Sequence, residues 1–162
     1  MSHIPVLLEE SIDFLRIIPG GNYFDGTYGE GGHSNAILKN LNKEGRLFAT
    51  DLDLGAIEIA KKNMVDNRFS IFHSSFSNIK HLDIPHLDGA IFDFGMSSNQ
   101  LDDPSRGFSF KNNGPIDMRM NTESDANLKK WINNASENEI EDVIRQFGDC
   151  LLYTSPSPRD NT

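Results

Sequence analysis

Residues 25–34, DGTYGEGGHS, place Gly26, Gly29, Gly31 and Gly32 within seven positions and set two acids, Asp25 and Glu30, beside them. Glycine clusters of this kind let a ligand approach the main chain closely. Twenty positions after Gly31, Asp51 ends the apolar run RLFATD. A carboxylate there can accept from both hydroxyls of a ribose. The other reading is a helix cap, a task that Asp53 fills as well. The glycine spacing is G-x-G-G, which departs from the G-x-G-x-x-G of dinucleotide sites and lacks the G-K-[ST] ending of a P-loop. Charge narrows the choice further. A pyrophosphate beside Asp25 and Glu30 would meet like charge, worth about 4 kcal/mol at ~4 Å for an effective dielectric near 20. The same carboxylates would attract an ammonium and a sulfonium. S-adenosylmethionine carries both, with ribose and adenine and no phosphate, and is the cofactor these residues suit.

The elements that must position these residues follow from periodicity. Leu8, Ile12, Leu15 and Ile18 recur at helical spacing, and Pro19-Gly20-Gly21 stops that helix. NYFD (22–25) is a short strand running into the glycine loop. SNAILKNLN (34–42) reads as a helix with Ser34 at its N-cap. RLFATD (46–51) is a second strand, LGAIEIAKKNMV a helix, FSIFHSSF (69–76) a third strand and DGAIFDFG (88–95) a fourth. Strand and helix alternating in this way predict an α/β fold with a parallel sheet. Beyond residue 100 the chain is loop-like, and two short amphipathic helices follow near 124–133 and 136–147. The second opens with the capping box SENE (136–139).

The 162 residues fit one domain able to bury a core, and 37% hydrophobic content describes an ordinary globular chain. MSHIPVLLEE has no basic segment followed by an apolar run, so it is not read as a signal peptide. No apolar stretch approaches the roughly eighteen residues that span a membrane. A cytoplasmic location, without membrane association, is the expectation. The formal net charge of −9 argues against a large basic footprint for nucleic acid. The last thirteen residues, CLLYTSPSPRDNT, break with everything before them and resemble the translation of a sequencing-library adapter. Residues 150–162 are therefore expected to be a non-native tail, and Cys150 says nothing of redox compartment. A fragment of that kind, with its fourth strand left as an edge, is expected to be inactive alone.

Five motifs then fall in order across most of residues 3–149: HIPVLLEE, DGTYGEGGHS, DFGMSSNQLD, RGFSF and GPIDMRM. Together they resemble the signatures of the bacterial 16S ribosomal RNA cytosine-N4 methyltransferases, the RsmH or MraW family. The resemblance implies a class I (Rossmann-like) methyltransferase fold, with residues 1–102 its N-terminal part and 103–149 the start of an inserted helical domain. It implies transfer of a methyl group from S-adenosyl-L-methionine to a cytosine of 16S ribosomal RNA, on the RNA or on the small ribosomal subunit. It also implies cofactor contacts at Gly31, Gly32, His33, Asp51, Phe76, Asp93 and Gln100. Phe94 and Met96 stand where leucine and valine are usual in the family. Related exocyclic-amine methyltransferases often carry an N-P-P-Y-like motif where this chain has DFGMSS.

Weighed singly, these residues divide. The neighbours of His33 are too small to bury it, which favours a ligand role. The other histidines share no ligand spacing and residues 1–149 hold no cysteine, so no metal site is expected. Phe76 is either core or an adenine-facing ring at a strand end. Asp93 ends an otherwise apolar strand, where an unpaired buried charge needs a reason. It either caps the following SSNQ segment or serves the chemistry. Cytosine's exocyclic amine is a poor nucleophile, because its lone pair is delocalised into the ring. An acceptor for its hydrogens would favour attack on the methyl group and then take the proton. Ser97 and Ser98 could assist or hold the base. Arg106, Phe108, Phe110 and Arg119 combine cations with aromatics, which suits phosphate contact and base stacking. The other reading folds them inside their own loop. Transfer to a small molecule or a protein, and a non-catalytic nucleotide-binding module, stay open as alternatives. So does a homodimer.

Overall fold

A computed structural model describes residues 5–126 and 128–148. The segment read as a foreign tail lies outside the described residues. Four strands, β1 (Asn22–Asp25), β2 (Arg46–Asp51), β3 (Phe69–His73) and β4 (Gly89–Ile91), form one sheet in the order β3-β2-β1-β4, with every neighbouring pair parallel. Helices α1 (Leu8–Leu15), α2 (Gly32–Asn40) and α3 (Leu54–Asn63) belong to this unit. The chain builds outward from β1 through β2 to β3, then returns to the other side of β1 as β4. That reversal is the topological switch of a Rossmann-like sheet, and ligands bind in the crevice outside the strand ends there.

Side-chain alternation assigns the two faces. Tyr23, Leu47, Ala49, Phe69, Ile71 and Ile91 share one face through the strand register. Ile12 and Leu15 of α1, Ile37 and Leu38 of α2, and Ala56 and Ala60 of α3 pack against that face. On the opposite face Phe24 is fully buried, while Phe48, Phe72 and Phe92 stay partly exposed.

Several elements differ from the sequence reading: β3 ends at His73, short of the expected 76, with Phe76 opening a 3₁₀ turn, and the helix expected near 124–133 runs from Leu128 to Asn134. α1 ends at Leu15, because Arg16 turns left-handed (φ 47°) and its N–H bonds Asp13, so Ile18 lies outside the helix and exposed. α2 starts two residues earlier than expected, and its N-cap is Gly31 (φ 80°), with Ser34 buried inside the first turns. β4 stops at Ile91: the main-chain N–H of Gly26 takes the last ladder bond to Ile91, and Asp93 N–H donates instead to the Thr27 hydroxyl at 2.7 Å.

A short helix, α4 (Ser98–Asp102), follows β4 with a capping box between Ser97 and Gln100. The irregular segment after it leads to α5 (Leu128–Asn134) and α6 (Glu137–Phe147). Ser136 and Glu139 form the capping box of α6 that the sequence announces. Among the described residues no helix is long and apolar enough to cross a membrane.

Candidate active site

The glycine loop is shaped by the two acids that end β1 and β2. Asp25 is 1% exposed and points inward. It accepts from Thr27 N–H at 3.1 Å and from the Ser34 hydroxyl at 2.7 Å. Burial pushes its carboxyl above the ordinary carboxylate value, and those two hydrogen bonds only partly offset this. Asp25 therefore braces the loop from beneath and does not face a ligand, contrary to the charge argument made from sequence. Asp51 accepts from Gly29 N–H at 2.7 Å and from Asp53 N–H at 2.8 Å. The Thr50 hydroxyl donates to the Gly26 carbonyl at 3.1 Å, tying the loop to β2 a second time.

Above these ties lies a cavity of about 580 Å³ at the carboxyl ends of the strands. Its size is that of a small-molecule site. From the glycine loop come Gly26, Thr27, Tyr28, Gly29, Glu30, Gly32, His33 and Asn35. The other strand ends supply Asp51, Leu52, Ser74 and Phe76, and the segment after β4 supplies Asp93 to Ser98 and Gln100. Met120 closes the wall. Among the described residues the lining holds three carboxylates, Glu30, Asp51 and Asp93, and neither lysine nor arginine. Phe76 meets Phe92 and Phe94 edge-on at ring distances of 5.5 and 5.6 Å, and Phe94 stays largely exposed.

Of the residues that the sequence singles out, the structure brings Gly32, His33, Asp51, Phe76, Asp93, Ser97, Ser98 and Gln100 to one cavity. Gly31 sits beneath the cavity instead. Its conformation caps α2, and a Cβ there would lie 2.4 Å from the Tyr28 hydroxyl. His33 reaches the cavity although it is buried, at 7% exposed, and its Nδ1 lies 4.0 Å from Asp93 Oδ2. Its small neighbours do not leave it open, because it lies within the first turn of α2 and not in the loop itself. Asp93 is the reverse case. Its side chain is 58% exposed, so the premise of a buried charge fails and its placement in the cavity stands on geometry alone. The cap of α4 is Ser97, not Asp93.

The four residues assigned to RNA contact separate most clearly. Arg106 donates to Asp53 at 2.7 Å and to the carbonyl oxygens of Arg119 and Met120. Arg119 pairs with Asp117 and donates to the carbonyls of Thr122 and Ser124. Phe108 is buried at 7% exposed. Both guanidinium groups are engaged by protein acceptors, Arg106 by Asp53 of the α3 cap and by carbonyls of its own segment, Arg119 within its own segment, so of the four Phe110, 99% exposed, is the one offered to solvent. Sequence reasoning also passed over Tyr28, Asn35 and Met120, whose place in the cavity no spacing rule signals. Among the described residues no cluster of three or more His, Cys, Asp or Glu side chains could hold a metal ion.

Curated relatives named Ribosomal RNA small subunit methyltransferase H include one from Nitrosomonas eutropha, 47% identical over 151 residues, and one from Pseudoalteromonas atlantica, 48% identical over 153. Each alignment covers 91% of this chain but only 47% and 49% of the relative, so the chain spans about half the length of the curated relatives it matches. A solved structure of an rRNA methylase from Streptococcus thermophilus aligns with 23% identity and a TM-score of 0.46, over 56% of this chain and 52% of that one. The model of the MraW methylase family matches residues 1–155, and the chain belongs to that family.

Proposed function

We propose that the protein is an S-adenosylmethionine-dependent methyltransferase acting on the N4 amine of a cytosine in 16S ribosomal RNA, with residues 1–102 in the methyltransferase domain and 103–149 beginning an inserted one. A cytoplasmic site of action follows from that substrate. The observation that carries the cofactor half is the lining of the crevice: three carboxylates, no lysine or arginine among the described residues, and a glycine loop at the switch between β1 and β4. Such a lining repels phosphates and suits a ligand that bears a ribose and two positive centres, a sulfonium and an ammonium. His33 Nε2, buried without a hydrogen-bond partner among the described residues, is a further polar atom that a ligand could satisfy. The relatives' name carries the RNA half.

When bound, S-adenosylmethionine supplies a methyl group made electrophilic by its sulfonium. Asp51 would accept from the ribose hydroxyls, its carboxylate already oriented by the N–H groups of Gly29 and Asp53. Glu30 would face the cationic end, Gly32 would let the main chain approach, and Phe76 would lie against adenine. Gln100 would form a wall. Asp93, open to solvent beside the cavity, would accept a hydrogen bond from the cytosine amine and take up the proton that the amine loses on methylation, while Ser97 and Ser98 hold the base. Phe110 would stack on a base.

A second reading, transfer to a small molecule or a protein, is favoured by the net charge of −9 and by the candidate arginines, whose terminal nitrogens already bond protein acceptors. The cofactor assignment is tested by calorimetric titration of S-adenosylmethionine into the intact protein and into Asp51→Ala. Loss of a charged acceptor is expected to weaken binding by roughly 1.5–3 kcal/mol. An unchanged affinity would take Asp51 out of the site.

A further inference from the structure

We propose that Arg106 is a positioning residue that holds the Gln100 wall of the cavity through an anchor the two share on Asp53. The inference rests on the cavity being an S-adenosylmethionine site. Asp53 is 6% exposed and caps α3 with one oxygen, accepting from Gly55 N–H at 2.9 Å. Its other oxygen accepts from Gln100 Nε2 and from Arg106 Nη1, both at 2.7 Å. Burial works against charge on Asp53, but these hydrogen bonds outweigh it and hold the carboxyl below the ordinary range.

Arg106 does not touch the cavity, yet it grips the segment on both sides of the wall. Its Nη2 donates to the carbonyls of Arg119 at 3.0 Å and Met120 at 3.3 Å, and its own carbonyl accepts from Met118 N–H. Gln100 completes the tie by accepting from Ser97 N–H at 3.1 Å. The segment from 103 to 126 has no helix beyond one short 3₁₀ turn and no strand, so its fold depends on side-chain bonds of this kind. A planar fork that bridges a carboxylate and two carbonyls is a task for arginine that lysine cannot repeat. Removing it would leave Asp53 with a buried charge less well satisfied, and would free both Gln100 and Met120 to shift. This gives the RGFSF motif a cofactor-side role in place of a phosphate contact.

The test uses the intact protein, S-adenosylmethionine as titrant, and 16S ribosomal RNA binding over a range of salt. R106A is expected to weaken cofactor binding roughly tenfold or more, the loss of a charge-assisted hydrogen bond. R106K should lose a smaller part. Q100A should also bind more weakly, and R106A/Q100A no more weakly than the worse single variant, because one residue acts through the other. A general loss of stability would not produce that dependence. The salt slope of RNA binding should be the same in R106A as in the wild type. Unchanged cofactor affinity in R106A, losses that multiply in the double variant, or a salt slope reduced by about 0.7–0.9, the signature of a lost phosphate contact, would each overturn the proposal. Should R106A give no cooperative melt, R106K carries the same comparison, because it keeps the charge and loses the fork. Wild-type protein that binds no cofactor would overturn both this inference and the cofactor assignment, whereas binding wild type with an unaffected R106A overturns this inference alone.

Discussion

Asp25, Asp51 and Asp93 each stand at or just beyond a strand end, and their surroundings give them different work. Asp25 is sealed under the loop, Asp51 is held by two N–H groups at its edge, and Asp93 opens to solvent. Because burial raises the Asp25 carboxyl, the folded state binds its proton more tightly than the unfolded chain does. The stability from this group is complete below the unfolded value of 3.8 and is lost as pH rises through the folded value. Asp25→Asn keeps the shape and cannot ionise. It is expected to stabilise the protein more near neutral pH than at about pH 4, as read by denaturant melts at the two values. A variant destabilised chiefly at neutral pH would show that the anion is the form the fold needs. At this scale the sequence was legible where a residue acts on near neighbours: Asp53 caps α3 as its position announces. It was silent where the partner is remote. Ser34 fails as a cap because Asp25 claims its hydroxyl, and Arg106 is captured by an acid far back in the chain.

The glycine loop and the β4 segment are the elements on which the cavity depends. Gly31 holds φ at 80° to start α2, and a Cβ there would collide with the Tyr28 ring, itself a cavity wall. Gly31→Ala is expected to cost about 1–2 kcal/mol from the left-handed backbone alone. Displacement of Tyr28 adds to this and should weaken cofactor binding too. Denaturant melts and a cofactor titration check it, and a variant with wild-type values in both would remove the steric argument. The bounds of β1 and β2 were readable because their apolar runs are flanked by glycine and charged residues. β4 was overread by several residues, since an apolar run continues through Phe92 and Phe94 after the neighbouring strand has turned away at Gly26. The fold of residues 103–126 was not legible, because it rests on side-chain-to-carbonyl bonds that leave no period in the sequence.

At the scale of the whole molecule, strand order decides where chemistry can occur. Alternating strands and helices predict a parallel sheet, but not the order β3-β2-β1-β4. Once that order is known, the reversal beside β1 puts the glycine loop, Asp51, Phe76 and Asp93 around one crevice, although 68 positions separate Asp25 from Asp93 in the chain. The most direct test of the account is methyl transfer from labelled S-adenosylmethionine to 16S ribosomal RNA by the intact protein, with Asp93→Ala in parallel under single-turnover conditions at saturating cofactor. Label is expected in N4-methylcytidine after digestion of the RNA, and the variant should transfer at least roughly a hundredfold more slowly, the usual scale for losing a positioned proton acceptor. Label found only in a protein or a small molecule would contradict the assignment of substrate, and a variant turning over at the wild-type rate would contradict the role of Asp93.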